Sequence, residues 1–309
     1  MNPPNVTVVL PVFNRAATLG RCIASVRAQT FGDWELIAVD DGSSDDSIAV
    51  IEALGDTRIR VIRHEVNRGP GAARNTALRE GRGDFFALID SDDEWLPGKL
   101  AAQLALLDGP PGCDLCGCEY WRVLDGVERR VALPRPPSWA EWLHFQCPLG
   151  SGSTLVVRRQ VVEAVGLLDE TLRVFEDWDW VLRMVRTFRY EVVSEPLARV
   201  HAGGPRSPRV VAESVERFLR KNEDEFRRPG VEHWRRVQAR QHEAVAALAF
   251  EQRDFALGCH SLWKSIAAEP AYRPLRIGAF ALAAVDAVCG TSLLRRATKL
   301  QRSARDKAG

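Results

Sequence analysis

VTVVLPVFNRAATLGRCIASVRAQTFGDWELIAVDDGSS, residues 6–44, changes its hydrophobic period twice. VTVVLPV (Val6–Val12) and WELIAVDD (Trp34–Asp41) are continuous apolar runs ending in polar residues, the pattern of strands buried on both faces. Between them, Thr18–Ala28 puts Leu19, Ile23 and Val26 on one helical face. Strand, helix and strand joined by short connections predict a parallel sheet covered by helices on both sides. The pattern continues outward. Ser43, Ser44 and Asp45 offer N-caps for a helix through Ile48 and Ile51, and IRVIRH (Ile59–His64) reads as a third strand. NRGPG then opens the helix AARNTALREG, FFALID (Phe85–Asp90) reads as a fourth strand, and Pro97 is placed to start the next helix. Ligands of such sheets bind beyond the carboxyl ends of the strands. There the chain carries Asn14 and Arg15, Asp40 and Asp41, residues 67–74, and residues 90–93.

From about Cys113 the pattern changes. GCEYWRVLDGVERRVAL predicts a hairpin turning at Asp125-Gly126. RPPSWAEWLHFQCPLGSGS is loop-rich and STLVVRR is a short strand. Helices are expected over Val161–Gly166 and Trp178–Thr187, and a last strand, YEVVSEPLARVH, ends at His201. GGPRSPR has linker composition. Beyond it the chain reads as helical, with a helix pair whose packing residues would be Ala246, Ala249, Phe250, Ala256 and Leu262, similar to one tetratricopeptide-like unit. The expected division is 1–205 and 206–309.

Composition narrows the function. With 46% apolar and 27% charged residues the chain is an ordinary globular sequence, and its net charge of +1 argues against nucleic acid as a partner. The N-terminus shows no basic region followed by a long apolar run, and Ile277–Gly290 is too short to span a bilayer and contains Asp286. Seven cysteines do not pair off. CDLCGC (Cys113, Cys116, Cys118) lacks the second half of a zinc site and reads as buried strand thiols. A reduced, cytoplasmic protein is expected.

The chemistry concentrates in FFALIDSDDEW, Phe85–Trp95, where a core strand runs into Asp90, Asp92, Asp93 and Glu94. Crowded carboxylates repel and are costly to desolvate unpaired. A plain acidic turn or a helix cap would also produce this pattern. At the end of a buried strand, however, D-x-D can set two hard oxygen ligands on one Mg²⁺ or Mn²⁺ that also takes substrate phosphates.

PVFNRAATLGRCIASVRAQTFGDWELIAVDDGSSDDS, NRGPGAARNTAL and LIDSDDEW, in order over about residues 5–100, resemble family 2 glycosyltransferases of the GT-A fold. The likeness continues more loosely around Glu176-Asp177 and His201. It implies a GT-A nucleotide-diphospho-sugar transferase fold, with a Rossmann-like, mostly parallel sheet, followed here by a helical C-terminal region. It implies that Pro11, Val12, Asn14, Asp40 and Asp41 hold the base and ribose, that Gly71 and Arg74 approach the sugar nucleotide, and that Asp90 and Ser91 belong to the same donor site. Asp92, with Asp90 and His201, would take the metal, Mn²⁺ or Mg²⁺. In FEDWDWVLR, Asp177 matches the catalytic base and Glu176 a residue orienting the acceptor or that base. Trp178 and Trp180 would offer a wall for the acceptor sugar, or else belong to the core.

The implied activity is metal-dependent, inverting transfer of a single sugar from a nucleoside-diphosphate donor, a UDP-sugar by expectation. The acceptor would be a saccharide or a lipid-linked saccharide in surface glycan synthesis. No Q-x-x-R-W sequence of processive members is present. The tail TSLLRRATKLQRSARDKAG has six basic residues and one acidic residue, which suits either a solvated helix or peripheral contact with the inner face of the plasma membrane. The rival readings are a catalytically silent sugar-nucleotide binder or scaffold and a nucleotidyltransferase.

Overall fold

A computed structural model describes residues 4–147, 149–201, 203 and 206–269, with the Ser151 side chain excepted. The chain forms two compact units that divide after residue 204.

In the first unit, β1 (Val6–Val12), α1 (Ala16–Arg27), β2 (Trp34–Asp40), α2 (Ser47–Glu52), β3 (Ile59–Arg63), α3 (Pro70–Glu80) and β4 (Phe85–Leu88) follow the predicted alternation. Every residue of β1 and β2 is buried, as their unbroken apolar runs require. Next come β5 (Glu94–Trp95), α4 (Lys99–Asp108), β6 (Leu115–Leu124), β7 (Val127–Val131), α5 (Trp139–Leu143), α6 (Ser151–Thr154), β8 (Val156–Arg158), α7 (Arg159–Val165), α8 (Glu176–Met184) and β9 (Tyr190–His201). The strands make one nine-stranded sheet in the order β3-β2-β1-β4-β8-β6-β9-β5, with β7 added to β6. Its first four strands are parallel. Beyond β4 the sheet is mixed: β8 runs antiparallel to both β4 and β6, β6 and β9 are parallel, and the edge strand β5 is antiparallel to β9.

Local chemistry explains the details. The β6–β7 hairpin turns at Asp125-Gly126, where both residues have positive φ (51° and 76°), the conformation that Asp-Gly favours in a two-residue hairpin. Pro97 does not begin α4, which starts at Lys99. The Pro97 carbonyl instead accepts from the Thr30 N–H at 2.9 Å. Cys113, Cys116 and Cys118 are buried, the last two within β6. Their neighbour Lys99 lies wholly buried 4.1 Å over the Trp95 ring, and burial pushes its ammonium down to about 8.

The second unit contains α9 (Pro208–Lys221), α10 (Glu223–Arg227), α11 (Val231–Glu251) and α12 (Phe255–Ala268). Phe226 stacks on Trp234, and Ala246 and Phe250 of α11 meet Phe255 and Leu262 of α12. The two helices approach closely at Gly258, where a Cβ would come within 2.8 Å of the Phe250 ring. Ala256, expected in this contact, is exposed. Among the described residues no helix is long and apolar enough to cross a membrane. The stretch 277–290 and the basic tail 291–309 lie outside the described residues.

Candidate active site

The carboxyl ends of β1, β2 and β4, the start of α3 and the start of α8 supply the polar side chains that the sequence singled out. β1 and β2 end in register, Val12 opposite Asp40. Their loops interlock. Asn14, in the left-handed region at φ 51°, donates its N–H to Ser43 Oγ at 2.9 Å, and its Oδ1 accepts from the Ser44 N–H at 2.9 Å. Pro11 and Val12 are buried beneath this loop, while Phe13 is 42% exposed.

Asp40 and Asp41 are adjacent in sequence and opposite in role. Asp41 accepts from the Arg68 N–H at 3.0 Å and the Gly69 N–H at 2.7 Å, and its Oδ1 lies 2.7 Å from His64 Nδ1. It fastens the loop before α3 and has no face left for a donor, which corrects its expected place among the nucleotide-binding residues. Asp40 keeps one oxygen free of hydrogen bonds, with Arg63 Nε 3.3 Å away as its counterion. Oδ1 accepts from the Ser43 N–H at 3.1 Å, and the buried Oδ2 receives no hydrogen bond. Gly71, in the first turn of α3, faces α8: a Cβ there would meet Glu176 Cγ at 3.5 Å.

The strand β4 stops at Leu88, and the acidic residues follow in a turn in which the Asp93 N–H donates to the Asp90 carbonyl at 3.0 Å. Asp90 and Asp92 keep partly exposed carboxylates. Asp93 does not. It is 2% exposed and accepts from the His201 N–H at 2.7 Å and from the Ser153 hydroxyl. Burial raises its carboxyl well above the usual range, and the charge of Asp90 adds to that. Asp93 is an anchor that sequence reasoning read only as a helix cap. Neither it nor Asp92 caps α4. Ser91 is buried, and its carbonyl accepts from Thr18 Oγ1 at 2.9 Å.

The expected metal set is not assembled as a trio. His201 Nε2 lies 2.9 Å from Glu94 Oε1, Asp90 Oδ1 lies 2.6 Å from Arg74 Nη2, and Asp92 Oδ2 lies 3.6 Å from Arg15 Nη2. Among the described residues no three His, Cys, Asp or Glu side chains are gathered to hold a metal. In this arrangement His201 is the partner of Glu94, and Asp90 and Asp92 carry the partly exposed carboxylates of the turn. Burial and then the charge of Asp90 raise the Asp92 carboxyl, so their mutual repulsion is only partly relieved by Arg15. Carboxylate oxygens of this kind are the hard donors that Mg²⁺ or Mn²⁺ accepts.

Arg74 joins the two halves of the site. It is 4% exposed, and its Nη1 donates to Glu176 Oε1 at 2.7 Å while Nη2 donates to Asp90 Oδ1 at 2.6 Å. Burial opposes its charge, but Asp90, Glu176 and Asp177 together outweigh burial and hold the guanidinium protonated. Glu176 fares less well. Burial raises it to about 7, because the attraction of Arg74 is shared with Asp90 and adjacent Asp177 adds repulsion.

A stability consequence follows. Between the ordinary value of 4.5 and about 7 the folded protein holds a proton at Glu176 that the unfolded chain has released. This contribution is complete below the lower value and is lost as pH rises through the upper one. In urea unfolding between pH 5 and pH 7, wild type should lose stability relative to Glu176→Gln by on the order of 1 kcal/mol per pH unit. Parallel pH curves for the two proteins would contradict it.

Asp177 is half-buried at the first turn of α8, with Oδ1 accepting from the Trp178 N–H at 2.8 Å. The preceding Phe175 has φ 72°, a left-handed turn that swings the chain into the helix. The two tryptophans are core residues, not an acceptor wall. Trp178 Nε1 donates to the Leu143 carbonyl at 2.7 Å, Trp180 Nε1 donates to the Gly166 carbonyl at 2.8 Å, and both rings are buried. They tie α8 to the ends of α5 and α7 and so fix Glu176 and Asp177.

Comparison with known proteins identifies the fold and the family. The profile described as glycosyl transferase family 2 matches residues 7–166, more than half the chain. The Escherichia coli UDP-Glc:alpha-D-GlcNAc-diphosphoundecaprenol beta-1,3-glucosyltransferase WfgD is 38% identical over 102 residues, 33% of this chain and 40% of that one. The chain covers less than half the length of the first curated relatives it matches. S. aureus TarS 1-349 in complex with UDP-GlcNAc superposes with a TM-score of 0.60 at 19% identity, covering 88% of this chain and 92% of that one. Mannosyltransferase PcManGT from Pyrobaculum calidifontis, in complex with GDP-Man and Mn²⁺, gives 0.59 at 18% identity, covering 98% and 85%. The sheet is thus that of the GT-A glycosyltransferases, and the ordered strand-end residues sit on it where the profile match runs. The chain belongs to glycosyl transferase family 2.

Proposed function

We propose that the chain transfers one sugar, with inversion, from a nucleoside-diphosphate donor to a saccharide or lipid-linked saccharide hydroxyl, with UDP as the nucleotide. The observation that carries this reading is the Arg74 bridge. It ties Asp90, on the donor side, to Glu176, the neighbour of the candidate base, within one buried charge cluster. Asp40 Oδ2 accepts from the imide N–H of uracil, and the Asn14 loop bears on the ribose. Asp90 and Asp92 would hold Mn²⁺ or Mg²⁺, which when bound supplies positive charge to the departing diphosphate.

The remaining chemistry belongs to the side chains. Asp177 takes the proton of the acceptor hydroxyl as that oxygen bonds to the anomeric carbon, and the bond from that carbon to the diphosphate oxygen breaks with its electron pair leaving on the nucleotide. Arg74 keeps Glu176 in place, and Glu176 in turn fixes the start of α8 from which Asp177 projects. A lipid-linked acceptor is supported by the acceptor in the WfgD name. An acceptor at the inner face of the membrane is supported by the basic sequence of the tail.

The test is thermal. A ligand that binds only the folded protein stabilises it by about 2.7 kcal/mol at one hundred times its Kd. UDP with MnCl₂ should raise the melting temperature more than UDP alone, and Asp92→Ala should abolish that difference while keeping the metal-free shift. Absence of a shift with every nucleoside diphosphate and both metals would refute the reading.

A further inference from the structure

Arg63 ends β3, and the parallel register sets it directly beside Asp40, which lies beside Val12. The Arg63 side chain is 63% exposed, the Asp40 side chain fully buried, and Arg63 Nε lies 3.3 Å from Asp40 Oδ2. That approach is an ion pair without a hydrogen bond: Oδ2 accepts from nothing, while Oδ1 is taken by the Ser43 N–H. Among the described residues Arg63 donates no hydrogen bond at all, so its guanidinium is a fork of donors held over the uncommitted acceptor. A buried carboxylate oxygen without a donor is costly, and an arginine with unspent donors at the same spot is unusual for a purely structural pair.

Together the two groups present an acceptor and an adjacent donor at the end of neighbouring strands, and that pattern has a complement. Uracil shows a ring N–H flanked by carbonyl oxygens, and guanine shows a ring N–H beside one carbonyl. The corresponding ring nitrogens of cytosine and adenine carry a lone pair, which would face the carboxylate oxygen and repel it.

We propose that Arg63 is a specificity-determining residue for the donor base, donating to the carbonyl oxygen next to the ring N–H that Asp40 Oδ2 accepts. The assignment rests on the donor reading above and adds to it a residue outside the glycosyltransferase-like motifs of the sequence. The pair selects uracil- and guanine-type bases by attraction and rejects cytosine and adenine by repulsion. Arg63 touches neither candidate metal ligand nor the Arg74 cluster, so its effect is confined to the base.

The test is calorimetric titration of the full chain with UDP, GDP, CDP and ADP at fixed MgCl₂, for wild type, Arg63→Gln and Arg63→Lys. Wild type should prefer UDP or GDP to CDP and ADP by about tenfold or more, since a site built around a polar contact rejects the base that cannot make it. Arg63→Gln should weaken the preferred nucleotide by about tenfold, the loss of a charged hydrogen bond. It should also narrow the UDP-to-CDP ratio. Arg63→Lys, which keeps charge but not the planar fork, should restore less than half of that ratio. Free Arg63→Gln should melt below wild type, because the buried Asp40 carboxylate loses its counterion, so the titrations are run at a temperature where every variant is folded. Wild type binding UDP with a ratio unchanged in Arg63→Gln overturns the Arg63 assignment alone. Wild type preferring CDP or ADP overturns it as well, and wild type binding no nucleotide overturns the donor reading and this inference together.

Discussion

Asp177→Asn is expected to slow metal-dependent release of UDP from UDP-glucose or UDP-GlcNAc by about 10²–10⁴-fold, the usual contribution of a general base. The substitution is chosen for what it keeps. Asn retains Oδ1, so the Trp178 N–H that now donates to Asp177 at 2.8 Å keeps its acceptor and the first turn of α8 stays formed. The buried tryptophans that clamp the helix are untouched. What is removed is the capacity to take a proton and, with it, one negative charge beside Arg74 and Glu176. Nucleotide affinity should therefore stay within about twofold of wild type, because Asp40 and the interlocked loops lie on other elements. A variant with full turnover, whether to water or to a saccharide, would remove Asp177 from the mechanism. A variant that lost turnover together with nucleotide binding would show a structural role instead.

Much of this is legible in the sequence. β1 and β2 announce themselves because a strand buried on both faces must be apolar throughout, and the turn at Asp125-Gly126 because two positive φ values demand such residues. The grouping of Asp90, Asp92, Glu176 and Asp177 at strand and helix ends was readable from spacing and resemblance. What resisted reading depends on partners distant in sequence. Asp40 and Asp41 look equivalent as letters, yet one step along a strand reverses the side chain's direction, so one points to the site and the other to the α3 loop. Trp178 and Trp180 sit two apart on a helix and face different ways, yet both are buried because the ends of α5, at Leu143, and α7, at Gly166, accept their indole N–H groups. The family resemblance places His201, at the end of the last strand, on the metal. Its capture by Glu94 depends on β5, a two-residue strand too short to leave a sequence pattern. Arg63 carried no signal at all, since only the register of β3 against β2 reveals its neighbour.

Arg74→Met should be the most destabilising single change in the site. Removing one partner of a buried ion pair typically costs about 3–5 kcal/mol, because the charge left behind has neither water nor counterion. Two features set where in that range the loss falls. Asp90 is 37% exposed and can be rehydrated, so most of the penalty comes from Glu176, which is 6% exposed. Glu176 also has an escape: without Arg74 it takes up a proton, and since it already titrates at about 7, that uptake is easy in mild acid and harder as pH rises. The destabilisation measured by urea unfolding should therefore grow from pH 6 to pH 8. Arg74→Met combined with Glu176→Gln should recover a large part of it at pH 8, since a neutral amide needs no counterion. Arg74→Lys should fall between wild type and Met, because one ammonium cannot present the two separate N–H groups that reach 2.6 Å and 2.7 Å to opposite carboxylates. A loss below about 1 kcal/mol for Arg74→Met, the range of an exposed ion pair, would show that the bridge carries no energy. A double variant no more stable than the single one would show that Glu176 is not the group Arg74 serves.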